Sequence, residues 1–373
     1  MDIIRPLHAL GMSSGTALDG VDVALLKTDG VDVYDFGLSQ SVPYDEELRD
    51  KIRSVLGKRP DTPENEAAIR EVETELTAFH AEIANEIIAA QDEKVDVIGF
   101  EGHNICLDPK NHFSCQIGDG KRLAELTRTK VVNRFQNADL LAGGQGGPLV
   151  PIYYQSLCAD MGKPLAVVNI GGCANITWIG SIGDMIAFDC GPGNAAINDW
   201  VMKHGGMHMD YNGKLAITGK VNEQIVASMM RHKFFAQYPP KAADRTIFNE
   251  KLEHLEGLSL EDGAATATAF IAEAVAYSLL LYLPEIPGKL IVCGGGAKNP
   301  TLVRFLRQRL PDIGISTAAE EGFDVNALEA QAFAYLAVRR HFPFHDRRCR
   351  TDGLRSGFRN IIIFCLDSFL KIC

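Results

Sequence analysis

The stretch LGMSSGTALDGVDVALL, residues 10–26, decides how the rest of the chain is read. Two apolar runs flank a connection crowded with Ser13, Ser14, Gly15, Thr16, Asp19 and Gly20. A plain hairpin turns in roughly two to five residues, often with one glycine. Hydroxyls, bare backbone amides and a carboxylate in one connection are what the phosphates of a nucleotide and its magnesium ion require. Taken alone, the stretch fits a polar hairpin equally well, so the remaining sequence has to decide.

Bulk properties narrow the classes. A chain of 373 residues exceeds one ordinary core, which predicts two lobes. Hydrophobic residues at 46% and charged residues at 23% match a folded globular protein rather than a disordered one. A formal charge of -11 argues against a nucleic-acid binder, which carries a basic face. Nine cysteines lack CxxC or paired spacing and no secretory signal precedes them, so reduced thiols in a cytoplasm are expected rather than disulfides or structural zinc. The late apolar run NIIIFCLDSFL is too short and interrupted to span a bilayer, and no membrane partner is expected.

Along the chain, LHALGM and VDVALLKTD read as strands around the opening loop, with another near VDVYDFG. Ile69, Val72, Leu76, Phe79, Ile83 and Ile87 recur at three- and four-residue intervals and predict a long amphipathic helix from Glu64. VDVIGFEG, FSCQIGDG and KVVNRF read as strands, and the unit closes near the glycine cluster LAGGQGGPLVP. The second half starts afresh with PLAVVNIGGCANITWIG, again strand, glycine-rich turn and strand. MIAFDCGPGNAAINDWVMK runs from a strand through Asp189 into a helix, and Ala264 to Leu283 reads as a buried helix. KLIVCGGGAKNPTLVRFLRQRL is strand, triple glycine and helix, and ALEAQAFAYLAVRR is a last helix. The repeated opening plan predicts a duplicated α/β chain, divided into 1–142 and 143–373.

Four segments are candidate sites. Gly171, Gly172 and Asn175 form a turn that serves either as a close bend or as an anion contact through bare amides. Gly294, Gly295 and Gly296 separate a strand from a helix starting near Pro300, which suits a flat ring and a negative charge. Their spacing is not GxGxxG, so a dinucleotide fold is disfavoured. Asp189 ends an apolar strand just before CGPGN, whose glycines and Asn194 open a helix. A carboxylate there suits a general base near transferring phosphate, and equally a turn or cap aspartate. The cluster AGGQGGPLVP reads as a flexible loop or a substrate-facing hinge. A serine hydrolase is disfavoured because the GxSxG elbow is missing, and a catalytic zinc because HExxH and paired ligand spacing are missing.

In this order GMSSGTALDGVDVALL, QIGDG, GGQGGPLVP, NIGGCANIT, FDCGPGN, VCGGGAKN and EAQAFAYLAVR resemble the anhydro-N-acetylmuramic acid kinase family from residue 8 to about 340. The resemblance implies the acetate and sugar kinase, actin and heat-shock ATPase superfamily: two duplicated ribonuclease-H-like lobes with a nucleotide cleft between them. It implies ATP with Mg2+ as cofactors and an anhydro amino sugar as the small-molecule substrate, in a cytoplasmic homodimer. Gly15, Thr16, Ala17, Leu18, Asp19, Gly20, Val21 and Asp22 match the phosphate-binding hairpin, with Asp19 near the magnesium ion. Gly171, Gly172 and Asn175 match the second phosphate turn, Gly294, Gly295, Gly296 and Asn299 the adenosine-side segment, and Asp189 the catalytic base.

Three segments depart from that pattern. The usual His-Gly-Gln-Thr reads EGHN, Glu101 to Asn104; Asp-Phe-Arg reads Arg134-Phe135-Gln136; and Lys-Ser-Thr-Gly-Arg-Glu reads KAADRT, which keeps Lys241 and Arg245 and changes Ala242 to Thr246 around them. These changes are expected on the sugar side. They leave open a degenerate member that still binds nucleotide, or a kinase for another sugar. After Arg340 the Pro- and Gly-rich ending of the family gives way to a basic then apolar tail, which reads as a shifted frame or a divergent terminal helix.

Overall fold

The computed structural model describes residues 5–15, 18, 20–108, 111, 113–141, 143–144, 146–243, 245–341 and 362–364. The chain forms two compact units. One takes residues up to Leu157 and again from Asn326, and the other is Cys158–Val325. The sequence reading placed its division at 142/143. The units instead divide at two points, because a late helix returns to the first sheet.

The first unit contains β1 (Leu7–Ser13), β2 (Gly20–Thr28), β3 (Val33–Pro43), α1 (Glu46–Val55), α2 (Pro63–Ala89), β4 (Val97–Phe100), β5 (His103–Asp108), β6 (Phe113–Ile117), α3 (Gly120–Thr127), β7 (Lys130–Asn133), α4 (Phe135–Leu141) and α5 (Pro151–Leu157). The second contains β8 (Leu165–Ile170), β9 (Cys173–Ile179), β10 (Met185–Pro192), α6 (Asn194–Gly205), α7 (Glu223–Met229), α8 (Asn249–Leu252), α9 (Leu260–Tyr282), β11 (Lys289–Cys293), α10 (Pro300–Arg309) and β12 (Gly314–Thr317). Helix α11 (Leu328–His341) and the short β13 (Ile362–Phe364) belong to the first unit.

The duplication expected from the sequence is present in the strand order. The first sheet runs β13-β7-β4-β1-β2-β3 and the second runs β10-β9-β8-β11-β12. In each, three strands form an antiparallel meander, and the first of them then pairs in parallel with a fourth, which pairs in parallel with a fifth. Numbered within its own sheet, the second reads 3-2-1-4-5, and the first reads the same with β13 added beyond the fifth strand, while β5 and β6 pair apart from it. Parallel neighbours require crossover connections, and helices supply them in both units.

Local chemistry sets the helix ends. Thr62 caps α2 through the Asn65 amide with Pro63 in the first turn, Asp45 caps α1 through Leu48, and Ser259 caps α9 through Asp262. Each such cap contributes about 1 kcal/mol. The face of α2 predicted from its spacing is the buried one: Ile69, Val72, Leu76, Ile83 and Ile87 lie in the first core. Helix α9 is long and apolar enough to cross a bilayer by length and composition, yet most of it is buried in the second core.

Helix α11 packs directly on β1, β2 and β4. Its approach is close enough that only glycine fits beneath it. A Cβ on Gly11 would stand 1.7 Å from the Ala330 carbonyl oxygen, and one on Gly99 would stand 2.0 Å from that of Phe333. In the tail, β13 pairs antiparallel with β7, Ile363 opposite Val132.

Candidate active site

The opening hairpin is anchored from below before any ligand is considered. Ser13 ends β1, Ser14 follows it, and both are buried. Ser13 Oγ donates to Glu101 Oε2 at 2.7 Å. Ser14 Oγ lies 2.7 Å from His103 Nδ1 and 2.5 Å from the Tyr44 hydroxyl. The turn itself closes with the Leu18 amide donating to the Gly15 carbonyl at 3.2 Å, Leu18 taking a positive φ of 59°. Arg49 of α1 braces it, donating from Nε to the Leu18 carbonyl at 2.9 Å and from its guanidinium to the Tyr44 carbonyl.

Burial sets the ionisation below the hairpin. It pushes the Glu101 carboxyl well above the usual range, nearby Glu329 adds repulsion, and only the Ser13 hydroxyl opposes both. Glu329, in the first turn of α11, is reached by solvent, yet its carboxyl is raised by the protein around it and by Asp22, against a hydrogen bond from Ser13. Burial lowers His103 to about 4, against the opposing bond from Ser14. His103 is therefore neutral at physiological pH and holds Ser14 by hydrogen bonding alone.

Glu101 and His103, of the altered EGHN segment, bond to the two serines immediately before Gly15. The opening hairpin and that segment are thus one hydrogen-bonded assembly. Arg134 takes a positive φ of 58° ahead of α4, and its charge acts on the mostly buried Glu73, which also accepts from the Gly118 amide of QIGDG. Gln136 accepts from Ser114 of β6 at 2.5 Å. In the loop AGGQGGPLVP, the Gly146 amide donates to Asp139 of α4 at 2.8 Å.

The predicted hairpin residues differ in what they present. Leu18 and Val21 have side chains in the first core, so only their backbones are left for a ligand. Asp22 accepts from Ser41 across the β2–β3 pair. A Cβ on Gly15 would meet nothing within 4 Å, so open space lies in front of that backbone. Gly20 is different: a Cβ there would stand 2.2 Å from the Val42 carbonyl oxygen, which is a strand-packing reason for glycine. Thr16, Ala17 and Asp19 lie outside the described residues, as do Asp244 and the side chains of Arg245 and Thr246.

The second unit gathers its candidates at the C-terminal ends of β8, β10 and β11. Asn169, Asn175 and Asp189 stand in register across β8, β9 and β10. The ladder then slips between Asp189 and Gly191, a bulge of the kind that re-aims a side chain. The Gly171 carbonyl accepts from the Asn194 amide at 2.7 Å, and the Gly172 carbonyl accepts from the Gly193 amide at 3.0 Å. Gly171 spends its own amide on the Cys173 carbonyl, so the anion contact foreseen for that amide is already filled internally. Open space faces Gly172. Helix α6 begins after Gly193 with no side-chain cap on its first amides, which favours negative charge there.

The triple glycine adjoins the same place. Gly294 has a φ of 69°, and a Cβ on it would stand 2.2 Å from Asn169 Oδ1. Gly296 lies against Ile170, and Gly295 lies near the Asn194 carboxamide. Asn299 is mainly a helix cap: its Oδ1 accepts from the Thr301 and Leu302 amides of α10, leaving only its amide nitrogen for a ligand.

Asp189 is the chemical focus. Its amide donates to the Lys241 carbonyl at 3.0 Å, and its Oδ2 accepts from the Ala243 amide at 2.7 Å. Burial pushes its carboxyl up to about 6, and the Ala243 bond pulls against that rise. A carboxylate with a pKa near 6 is ionised at neutral pH and still basic enough to take a proton as water attacks. Sequence reasoning assigned no role to Ser13, Tyr44, Glu101 or Glu329 as a hydrogen-bonded group. Their separation in sequence leaves no periodic signal, although Glu329 stands in the recognised segment EAQAFAYLAVR.

No group of three or more His, Cys, Asp or Glu side chains able to hold a metal ion occurs among the described residues.

Comparison with known proteins completes the description. The sequence profile of the anhydro-N-acetylmuramic acid kinase family matches residues 7–343. The anhydro-N-acetylmuramic acid kinase of Paramagnetospirillum magneticum is 44% identical over 335 residues, covering 89% of this chain and 92% of its own. That of Rhodospirillum rubrum is 42% identical over 333 residues, covering 89% and 87%. Among solved structures, component A of the (R)-2-hydroxyglutaryl-CoA dehydratase of Acidaminococcus fermentans superposes with a TM-score of 0.46 at 13% identity, covering 90% of this chain and 98% of its own.

Proposed function

The chain belongs to the anhydro-N-acetylmuramic acid kinase family, and from that premise we propose that it uses ATP to convert 1,6-anhydro-N-acetylmuramic acid into N-acetylmuramic acid 6-phosphate during cell-wall recycling. The observation that carries the mechanism is Asp189: a half-buried carboxylate that desolvation raises to about 6, in register with Asn175 and beside the glycine turns of the second unit. Asp189 takes a proton from the water that attacks the anomeric carbon. The bond from that carbon to the bridging oxygen breaks, and the bridging oxygen, now O6, takes the γ-phosphoryl group while ADP leaves.

Phosphoryl transfer depends on positioning and charge neutralisation more than on further covalent chemistry. The backbone of Gly15 to Asp22 is the proposed first phosphate contact, supported by the open space at Gly15 and the bracing of Leu18 by Arg49. The turn at Gly172 and the uncapped start of α6 are the proposed second contact, and Gly294 to Gly296 the nucleoside contact. Magnesium, held on the phosphates with Asp19 as the proposed protein ligand, would supply charge neutralisation. A cytoplasmic homodimer acting on a wall-derived sugar completes the reading.

The engagement of Glu101 and His103 with the serines supports the EGHN change as a way of holding the hairpin, rather than as decay of a sugar pocket. A coupled ATP-turnover assay with the anhydro sugar and several unmodified amino sugars tests the whole proposal. Asp189→Asn should lower kcat by roughly a hundred- to ten-thousandfold, or about 3 to 5 kcal/mol of barrier, with ATP affinity kept. Turnover surviving intact in that variant identifies a different base. A wild-type protein inactive on every amino sugar identifies a nucleotide-binding relic.

A further inference from the structure

Lys241 is a buried lysine whose surroundings are aromatic. Its Nζ lies 4.3 Å from the centre of the Tyr282 ring, 4.5 Å from that of Phe234 and 5.8 Å from that of Phe188. These distances fall within cation–π range, and a desolvated ammonium gains most from it. The Phe234 carbonyl accepts from Nζ at 3.5 Å. The three rings come from three places: β10, the turn at 233–236, and α9.

The backbone of the same residue reaches Asp189. The Lys241 carbonyl accepts from the Asp189 amide, and two residues later the Ala243 amide donates to Asp189 Oδ2. Residues 241–243 thus form a clip across the candidate base, and the side chain of the first clip residue is rooted among rings. We propose that Lys241 is a positioning residue: its ammonium, seated in the Phe188–Phe234–Tyr282 cage, fixes the clip that gives Asp189 its hydrogen-bond donor. The proposal rests on the reading of Asp189 as the base, because without that reading the clip has nothing to position.

Among the described residues, the titratable groups facing the cage are few. Asp189 and Cys190 come from β10, and Tyr282, with Tyr277 beside it, comes from α9; Tyr238 lies against Tyr282. Burial holds the Cys190 thiol far above its ordinary value and pushes Tyr282 up to about 12, so both stay protonated near neutrality. Burial pushes Lys241 down to about 8. Asp189 and Lys241 are therefore the two members whose charge changes between pH 5 and 9. The Ala243 bond holds the Asp189 carboxyl down, so loosening the clip raises it.

The test is the kcat–pH profile with ATP and 1,6-anhydro-N-acetylmuramic acid for wild type, Lys241→Met, Lys241→Arg, Ala243→Pro and Asp189→Asn. Lys241→Met should lower kcat by at least about tenfold with KM for ATP unchanged. Its acidic limb should move to higher pH, and the decline near pH 8 should disappear. Lys241→Arg, which keeps a cation over the rings, should recover most of the rate. Ala243→Pro removes the donor itself and should displace the acidic limb in the same direction, which keeps the test alive if Lys241→Met fails to fold. A Lys241→Met or Ala243→Pro enzyme with the wild-type limb overturns the proposal, whatever its melting temperature. Full activity in Asp189→Asn overturns the reading beneath it instead.

Discussion

In the first hairpin, β1–β2, the polar residues turn inward: Ser13 reaches Glu101, and Ser14 reaches Tyr44 and His103. In the second, β8–β9, Asn169 and Asn175 stand in line with Asp189 at the ends of their strands, and the glycine turn is lashed to the start of α6. The strand order around both hairpins is the same. A duplicated framework has therefore been put to two uses. One copy stabilises a loop from beneath, through hydrogen bonds from its serines to residues of the neighbouring segment. The other leaves an acid with one amide donor, at a bulge, where burial keeps it basic.

The largest expected contrast lies between two glycines. A Cβ on Gly193 would stand 2.3 Å from the Gly171 carbonyl oxygen, so Gly193→Ala should cost about 2 kcal/mol or more in stability and abolish turnover with it. Gly15 faces open space, so Gly15→Val should melt like the wild type while ATP binding, read by titration, weakens at least about tenfold. Two variants with equal melting temperatures would erase the contrast between a lashed turn and an open one.

Next comes a pH-dependent effect on Asp189. Its folded pKa of about 6 lies above the ordinary value of 3.8. Below the ordinary value both states are protonated and the site costs nothing. As pH rises toward 6 the unfolded chain loses its proton first, so stability falls, and above 6 the penalty is complete. Asp189→Asn should therefore stabilise the protein by about 2 kcal/mol at pH 8 and by close to nothing at pH 3.5, measured by denaturant unfolding. A constant difference across that range would show that burial does not set the ionisation of Asp189.

Ser14→Ala should cost about 1 to 2 kcal/mol, because His103 Nδ1 loses its partner in a buried place. Since His103 is already neutral, that loss should be flat between pH 6 and 8. A steep dependence there would mean that a charged histidine holds the hairpin. The smallest effect belongs to the tail. Removing residues 345–373 takes away β13 and its three pairings at the sheet edge, and should leave ATP binding intact with about 1 kcal/mol or less of stability lost. Failure of the truncated chain to fold would make that edge a structural requirement.

Much of this molecule was legible in its sequence, and for identifiable reasons. The two strand–turn–strand openings, α2 and α9 advertise themselves by period and by glycine, because their neighbours are local. Helix α1 was passed over although Leu48, Ile52 and Val55 bury at helical spacing behind the Asp45 cap, since ten residues give a weak periodic signal. Strand β5 was hidden because its first two residues, His103 and Asn104, fell in EGHN, which was read as an altered motif rather than as the start of a strand. Asp189 was visible from its place between a strand and a glycine turn, whereas its basicity comes from burial and is held in check by the amide of Ala243, 54 positions away. The Ser13–Glu101 and Ser14–His103 bonds span 88 and 89 positions, and pairing across such distances leaves no mark on local pattern.

The return of α11 bears on how the protein is made. A ribosome delivers the chain from its N-terminus, and domains fold as they emerge. The second unit is one unbroken segment, Cys158–Val325, and every strand of its sheet has emerged once β12 is complete. The first sheet, translated earlier, waits for its covering helix until the last residues of Leu328–His341 have emerged. Through that interval Gly11 and Gly99 present bare backbone where Ala330 and Phe333 will later lie. The half of the molecule that is synthesised first is thus finished last, and a nascent chain stalled before α11 would expose an apolar sheet face for a chaperone to cover.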